Sequence, residues 1–218
     1  MQTPRFLSSL NALDNVRASF TGRIPGVEGS TDRQRVVESL QPAHLRAVQA
    51  LGFDWSELHL AEQVHGGDVA IVSKSDPSRI RPSVDALITA DEGVLLGIYV
   101  ADCGAVYIVD PVRGVLALVH SGKKGTEADI TGNTIEAMRE YYGSDPSDLH
   151  LALSPCIRPP AYEVDFAAEI RAQALAAGVP KAQFVDSGIC TATELDSYYS
   201  YRAEKAKTGR MLALLGRR

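Results

Sequence analysis

Three residues, His65, Cys103 and His120, carry metal-ligating side chains, and each is followed within two positions by a glycine beside an apolar run. Ile98-Tyr99-Val100-Ala101-Asp102-Cys103-Gly104 runs out into Cys103, and Leu116-Ala117-Leu118-Val119-His120-Ser121-Gly122 into His120. Gln63-Val64-His65-Gly66-Gly67 stands just before a third run. Strand ends are where α/β sheets place ligand sites, because rigid backbone there holds side chains in a crevice. One thiolate and two imidazoles suit Zn²⁺ and leave a fourth position open, as catalytic zinc sites do. The spacing matches no compact metal knuckle, and each residue could equally be a hydrogen-bonded core side chain. Asp102, beside Cys103, could orient an imidazole, accept a proton or only cap a turn. Cys156 and Cys190 read as small buried thiols, and Glu163 as a structural acceptor.

The elements that must hold these residues are legible as short apolar runs. Asp68–Val72, Ala86–Thr89, Val94–Val100, Ala105–Val109, Gly114–Val119 and Leu149–Leu153 read as strands, several with no polar alternation and hence covered on both faces. Helices are expected from a Thr31 cap to Leu40, restarting at Pro42 and ending at Gly52; from Ala128 to Tyr142, stopped by Gly143; and after the Asp165 cap, closed by Gly178. A further interrupted helical region is expected from Glu194 towards Leu215, with Tyr198, Tyr199 and Tyr201 on it, whereas the segment through Ser30 reads as strand and loop. Helices around a central block of strands predict an α/β (α+β) sandwich with a mixed sheet core, one domain over 1–218.

Composition narrows the function. Lys and Arg total 22 against 27 Asp and Glu, a net charge of -5, with no basic stripe to track phosphates, so nucleic acid is excluded as a partner. No secretory pattern opens the chain and no run approaches the ~20 apolar residues of a spanning helix, which predicts a cytoplasmic protein without membrane contact. Three cysteines are too few for a disulfide framework and are expected to be reduced. Gly122-Lys123-Lys124-Gly125-Thr126 lacks the first glycine of a nucleotide-triphosphate loop.

The segments Gln63-Val64-His65-Gly66, Asp85-Ala86-Leu87-Ile88-Thr89, Ala101-Asp102-Cys103 and Val119-His120-Ser121-Gly122 stand in the order of the YfiH-like family, often labelled multicopper polyphenol oxidase or laccase-domain proteins. The resemblance continues through Ser154-Pro155-Cys156-Ile157, Tyr162-Glu163-Val164, Cys190-Thr191, Tyr199-Ser200-Tyr201-Arg202 and Thr208-Gly209-Arg210-Met211. It implies a single α/β sandwich, a metal held by His65, Cys103 and His120, and phosphorolysis of purine nucleosides, including methylthioadenosine, or deamination of adenosine. The implied partners are a small nucleoside and phosphate, handled by a monomer or homodimer. Catalytic roles fall to Cys103, His120 and Asp102. Arg23, before a glycine-rich turn as in the family, is the first choice for phosphate, followed by Arg202 and Arg210. Five histidines are too few for a multicopper centre, so zinc is expected over copper and laccase chemistry is not expected.

The chain departs from the family at His120-Ser121-Gly122-Lys123-Lys124-Gly125, where relatives commonly read His-Ala-Gly-Trp-Arg-Gly. The aromatic surface and the guanidinium are missing, although Lys124 can still offer charge to phosphate. The stretch after Arg23 is also short. Two alternatives stay open: a metal-free Cys103/His120 amide hydrolase, such as a peptidoglycan-precursor editing enzyme, and a non-catalytic metal- or metabolite-binding relative.

Overall fold

The computed structural model describes residues 4–218. In chain order its elements are α1 (Ser8–Asn11), β1 (Val16–Phe20), α2 (Arg33–Ala50), β2 (Leu58–Ala61), β3 (Val69–Ile71), β4 (Ile80–Arg81), β5 (Ala86–Thr89), β6 (Leu95–Val100), β7 (Gly104–Asp110), β8 (Val115–Ser121), α3 (Lys123–Glu127), α4 (Ile130–Tyr142), β9 (His150–Leu153), α5 (Phe166–Ala176), β10 (Phe184–Asp186) and β11 (Met211–Arg217). They form two mixed sheets, ordered β1-β11-β6-β2-β4 and β10-β9-β7-β8-β5-β3.

The sheets pack face to face. Leu96, Ile98 and Val100 of β6 share an inner core with Tyr107, Val109, Leu116 and Leu118 of β7 and β8. The alternate residues are not solvated. Leu95 and Tyr99 face Ala47 and Val48 of α2, while Val106, Ile108, Ala117 and Val119 pack under Ile135 and Met138 of α4 and Ile170 of α5. Every residue of β6, β7 and β8 is therefore buried, which explains runs without polar alternation. The layers run helix, sheet, sheet, helix, the α/β sandwich with mixed sheets that the sequence predicts.

Several local expectations are corrected. The stretch from Glu194 to Leu215 is not helical: turns occupy its first part, and Met211–Arg217 is a strand between β1 and β6. A short apolar run fits helix and strand alike, and two neighbouring strands decide the matter. Pro42 does not restart a helix but lies inside the continuous α2, whose N-cap is Asp32, accepting from the Arg35 N–H, rather than Thr31. The N-terminal segment holds a 3₁₀ turn and α1 before β1. Gly143 does stop α4 in the left-handed conformation (φ 67°), and Asp165 caps α5 by accepting from Ala168.

Candidate metal centre

His65 lies on the connection from β2 in the first sheet to β3 in the second, and Cys103 on the tight turn from β6 to β7, which also crosses between sheets. His120 stands in β8, opposite Ala105 of β7. Crossing segments and one strand end thus bring the three residues together, with their donor atoms all within 4.8 Å of one another. The two imidazole rings sit edge to face, centroids 4.8 Å apart. His120 is buried, Cys103 half-buried and His65 exposed, so the cluster opens on one side.

Asp85, fully buried just before β5, organises this cluster. One carboxylate oxygen meets His120 Nδ1 at 2.7 Å and accepts from the His65 backbone N–H at 2.9 Å; the other accepts from Gly66 N–H at 2.7 Å and Val64 N–H at 3.1 Å. Burial works against the carboxylate charge, but these donors outweigh it and hold Asp85 below the usual carboxylate range. With Nδ1 engaged, the other ring nitrogen of His120 is the one left for a ligand. The His65 loop is strained: Gln63 (φ 65°) and His65 (φ 63°) both hold left-handed backbone. The Gln63 side chain ties that loop to β6, donating to the Tyr99 carbonyl at 2.6 Å and accepting from the Tyr99 N–H at 3.0 Å.

Burial also opposes ionisation of Cys103, yet the His120 charge and hydrogen bonds from His120 and His65 prevail and bring the thiol down to about 6. His120 responds in kind. Burial disfavours its proton, but the Cys103 charge and Asp85 raise it to about 9. The Cys103 sulfur lies directly against Gly122, where a Cβ would overlap it. A thiolate and two imidazoles this close form a donor set that could hold one metal ion. Among the described residues this is the one group of three or more His, Cys, Asp or Glu side chains so arranged.

The cluster opens into a cavity of about 650 Å³ lined by Tyr99, Tyr162, Phe166 and Tyr201 and by the cations Arg33, Lys123, Lys124, Arg202 and Arg210. Asp102 is the one carboxylate of the lining. It holds left-handed backbone (φ 80°), and its oxygens accept from the Thr191 hydroxyl and the Arg202 N–H, both at 2.7 Å. Asp85, rather than Asp102, contacts the imidazole. Arg23 lies outside this lining: it donates to the Tyr198 carbonyl at 3.0 Å, pairs with Glu204 at 2.9 Å and stacks on Tyr199. Arg202 lies over the Tyr162 ring and pairs with Glu163 at 3.2 Å. Cys156 is buried, its thiol pushed up to about 12, and Cys190 is half-buried with its sulfur 3.8 Å from the Arg158 carbonyl. The sequence reading missed Asp85 and Arg33. An acidic residue opening a wholly apolar strand could have flagged Asp85; nothing local marks Arg33.

Fold and cluster define an α/β sandwich with a His/Cys/His site suited to a metal, at the mouth of a cationic, aromatic cavity. The family model described as "Multi-copper polyphenol oxidoreductase laccase" matches residues 26–174 and 164–218. The chain is 33% identical to "Purine nucleoside phosphorylase YlmD" of Geobacillus stearothermophilus, across 93% of this chain and 86% of that one. The crystal structure of that YlmD superposes with a TM-score of 0.84 at 30% identity, covering 94% of this chain and 92% of the other. "Adenosine deaminase RL5", from an unknown prokaryotic organism, is 27% identical over 79% of this chain and 77% of its own. The chain belongs to the multi-copper polyphenol oxidoreductase laccase family, the laccase-like YfiH group. Despite that label, the chain's five histidines supply only two imidazoles to the cluster.

Proposed function

We propose that the protein is a zinc-dependent purine nucleoside phosphorylase that also deaminates adenosine, a single-domain cytoplasmic monomer or homodimer. The observation that carries this reading is the convergence of His65, Cys103 and His120 on a cavity lined by aromatic rings and cations. Zn²⁺, if held by the two imidazoles and the thiolate, would supply Lewis acidity at neutral pH. The aromatic side chains Tyr99, Tyr162, Phe166 and Tyr201 of the lining offer apolar surface for a purine in place of the missing tryptophan. Lys123, Lys124, Arg202 and Arg210 balance the charge of phosphate.

In phosphorolysis the glycosidic C–N bond breaks with its electron pair leaving on the base, a phosphate oxygen bonds the sugar carbon, and the base takes a proton. In deamination water adds to the purine ring and ammonia leaves. Asp102, the carboxylate of the lining, is the residue assigned in this proposal to move the proton in either reaction. Its two hydrogen bonds fix its orientation beside Cys103.

Incubation of zinc-loaded protein with adenosine, inosine and methylthioadenosine, with and without phosphate, tests this reading. With phosphate, free base is expected together with ribose 1-phosphate, or 5-methylthioribose 1-phosphate from methylthioadenosine, and without it inosine from adenosine. Cys103→Ala should lose zinc and at least about a hundredfold in activity. No product under any condition rejects the proposal. A second reading, thiol-based amide hydrolysis, is favoured only by the Asp85, His120 and Cys103 chain of contacts. Under that reading Cys103 alkylates at once, whereas a zinc-bound thiolate is protected until chelator is added.

A further inference from the structure

The three cysteines are free thiols, and the candidate metal centre takes only Cys103. Cys156 and Cys190 lie on the segments that follow β9 and β10, two parallel neighbours, and face each other as partners in an isolated parallel bridge. The Cys156 N–H donates to the Ile189 carbonyl and the Thr191 N–H to the Cys156 carbonyl, both at 3.2 Å. Arg158 reinforces the junction: its Nε donates to the Ile189 carbonyl at 3.2 Å, and its guanidinium pairs with Asp186 at 2.5 Å. Neighbouring strands stand about 4.8 Å apart, within the ~4.4–6.8 Å Cα separation that a disulfide spans, and directly opposed residues point to the same face. Both cysteines accordingly pack with the core beneath α4 and α5.

The two thiols differ in access. Cys156 is fully buried, whereas Cys190 is half-buried with its sulfur 3.8 Å from the Arg158 carbonyl. A small oxidant therefore meets Cys190 first, with a shielded thiol opposite it, the arrangement of a reactive cysteine beside a resolving one. Cys156 also lies near Cys103, since a Cβ on the adjoining Gly104 would stand 3.8 Å from the Cys156 Cβ, but His65 and His120 already engage the Cys103 sulfur. The pair sits directly behind the cavity wall. Ile157, next to Cys156, lines the cavity and donates its N–H to the Asp102 carbonyl at 2.8 Å. Thr191, next to Cys190, donates its hydroxyl to the Asp102 carboxylate at 2.7 Å. A bond between the cysteines would join the two segments that hold Asp102.

We propose that Cys156 and Cys190 are a reversible redox modification site, in which hydrogen peroxide oxidises Cys190 and Cys156 closes a disulfide behind the wall that holds Asp102. In the first step the Cys190 sulfur bonds one peroxide oxygen and becomes a sulfenic acid, while the O–O bond breaks and the other oxygen leaves as water. In the second the Cys156 sulfur bonds the Cys190 sulfur, the S–O bond breaks, and the hydroxyl departs as water with the Cys156 proton. The two sulfurs are oxidised and the peroxide is reduced; a dithiol reductant restores both thiols. The site is independent of the phosphorylase reading, because neither thiol lines the cavity.

The test treats zinc-loaded full-length protein with hydrogen peroxide, alkylates the remaining thiols after unfolding, and maps the peptides by mass spectrometry, beside Cys190→Ala and Cys156→Ala. A peptide pair joining Cys156 to Cys190 is expected in wild type, absent from both variants and lost on adding dithiothreitol. The bond closes a loop in the unfolded chain, so oxidation should raise Tm by roughly 5 °C or more in wild type and not in Cys190→Ala. Exchange of the Ile157 and Thr191 amide protons should slow at least about threefold in the linked form. Cys190→Ala removes a half-buried thiol and keeps the comparison sound if the buried Cys156→Ala folds poorly. Full alkylation of both residues after peroxide, sulfinic acid on Cys190 without a link, or a bond from Cys103 to Cys156 would each overturn the site. Unchanged amide exchange in protein shown to be linked would overturn its coupling to Asp102.

Discussion

A buried carboxylate, Asp85, holds both imidazole-bearing segments of the centre, one through the His120 ring and the other through three backbone N–H groups of the His65 loop. It anchors by hydrogen bonds a strained loop, with two non-glycine residues in left-handed backbone, that presents His65. Gly122 plays the complementary role by omission. Its backbone (φ -113°) suits any residue, but a Cβ there meets the Cys103 sulfur. Gly122→Ala is therefore expected to fold with a Tm within a few degrees of the metal-free protein while displacing the thiolate. Zinc content after dialysis should fall by at least about half, measured by elemental analysis; full retention of zinc would show that the sulfur has room to move.

At the scale of elements, α2 carries a residue whose burial has a measurable cost. His44 faces the Tyr99 ring with centroids 5.5 Å apart, and neither ring nitrogen has a hydrogen-bond partner. Burial lowers its pKa from 6.5 to about 4. The unfolded chain takes up this proton near 6.5 and the folded chain only near 4. The unfolded state therefore binds more protons in that window, and stability falls as pH drops through it, by about 3 kcal/mol in total. His44→Leu should flatten this part of the stability profile and cost little at neutral pH, since it removes two unsatisfied nitrogens. Urea titrations at pH 4.5 and 7 would check it; an undiminished difference between the two pH values assigns the acid sensitivity elsewhere.

Across the whole molecule, two of the three proposed ligands ride on segments that pass from one sheet to the other. A metal bound there ties both sheets of the sandwich at one end, and none of the three cysteines forms a disulfide that would do the same. Binding to the folded state alone stabilises it by mass action, about 2.7 kcal/mol at a hundredfold excess over Kd. Chelation should therefore lower Tm by roughly 5–10 °C, and Cys103→Ala should abolish the difference between chelated and zinc-loaded samples. Equal melting curves for wild type in both conditions would argue against a tightly held ion. The same view explains a net charge of -5 beside a cationic cavity: the positive charge is concentrated where an anionic ligand is proposed to sit.

What the sequence determined by itself was local. Apolar runs without alternation foretold β6, β7 and β8 with both faces covered, Asp165 and Gly143 marked helix ends, and residue chemistry with family resemblance singled out His65, Cys103 and His120. Partnership was decided only in three dimensions. Met211–Arg217 became a strand because β1 and β6 flank it; Asp85 reached His120 because β5 pairs with β8; Arg23 was drawn away to Glu204 while Arg33 arrived from a distant helix. Propensity and side-chain type are written residue by residue, but hydrogen-bond acceptors, counter-charges and strand neighbours come from segments far apart in the chain, and only packing brings them within reach.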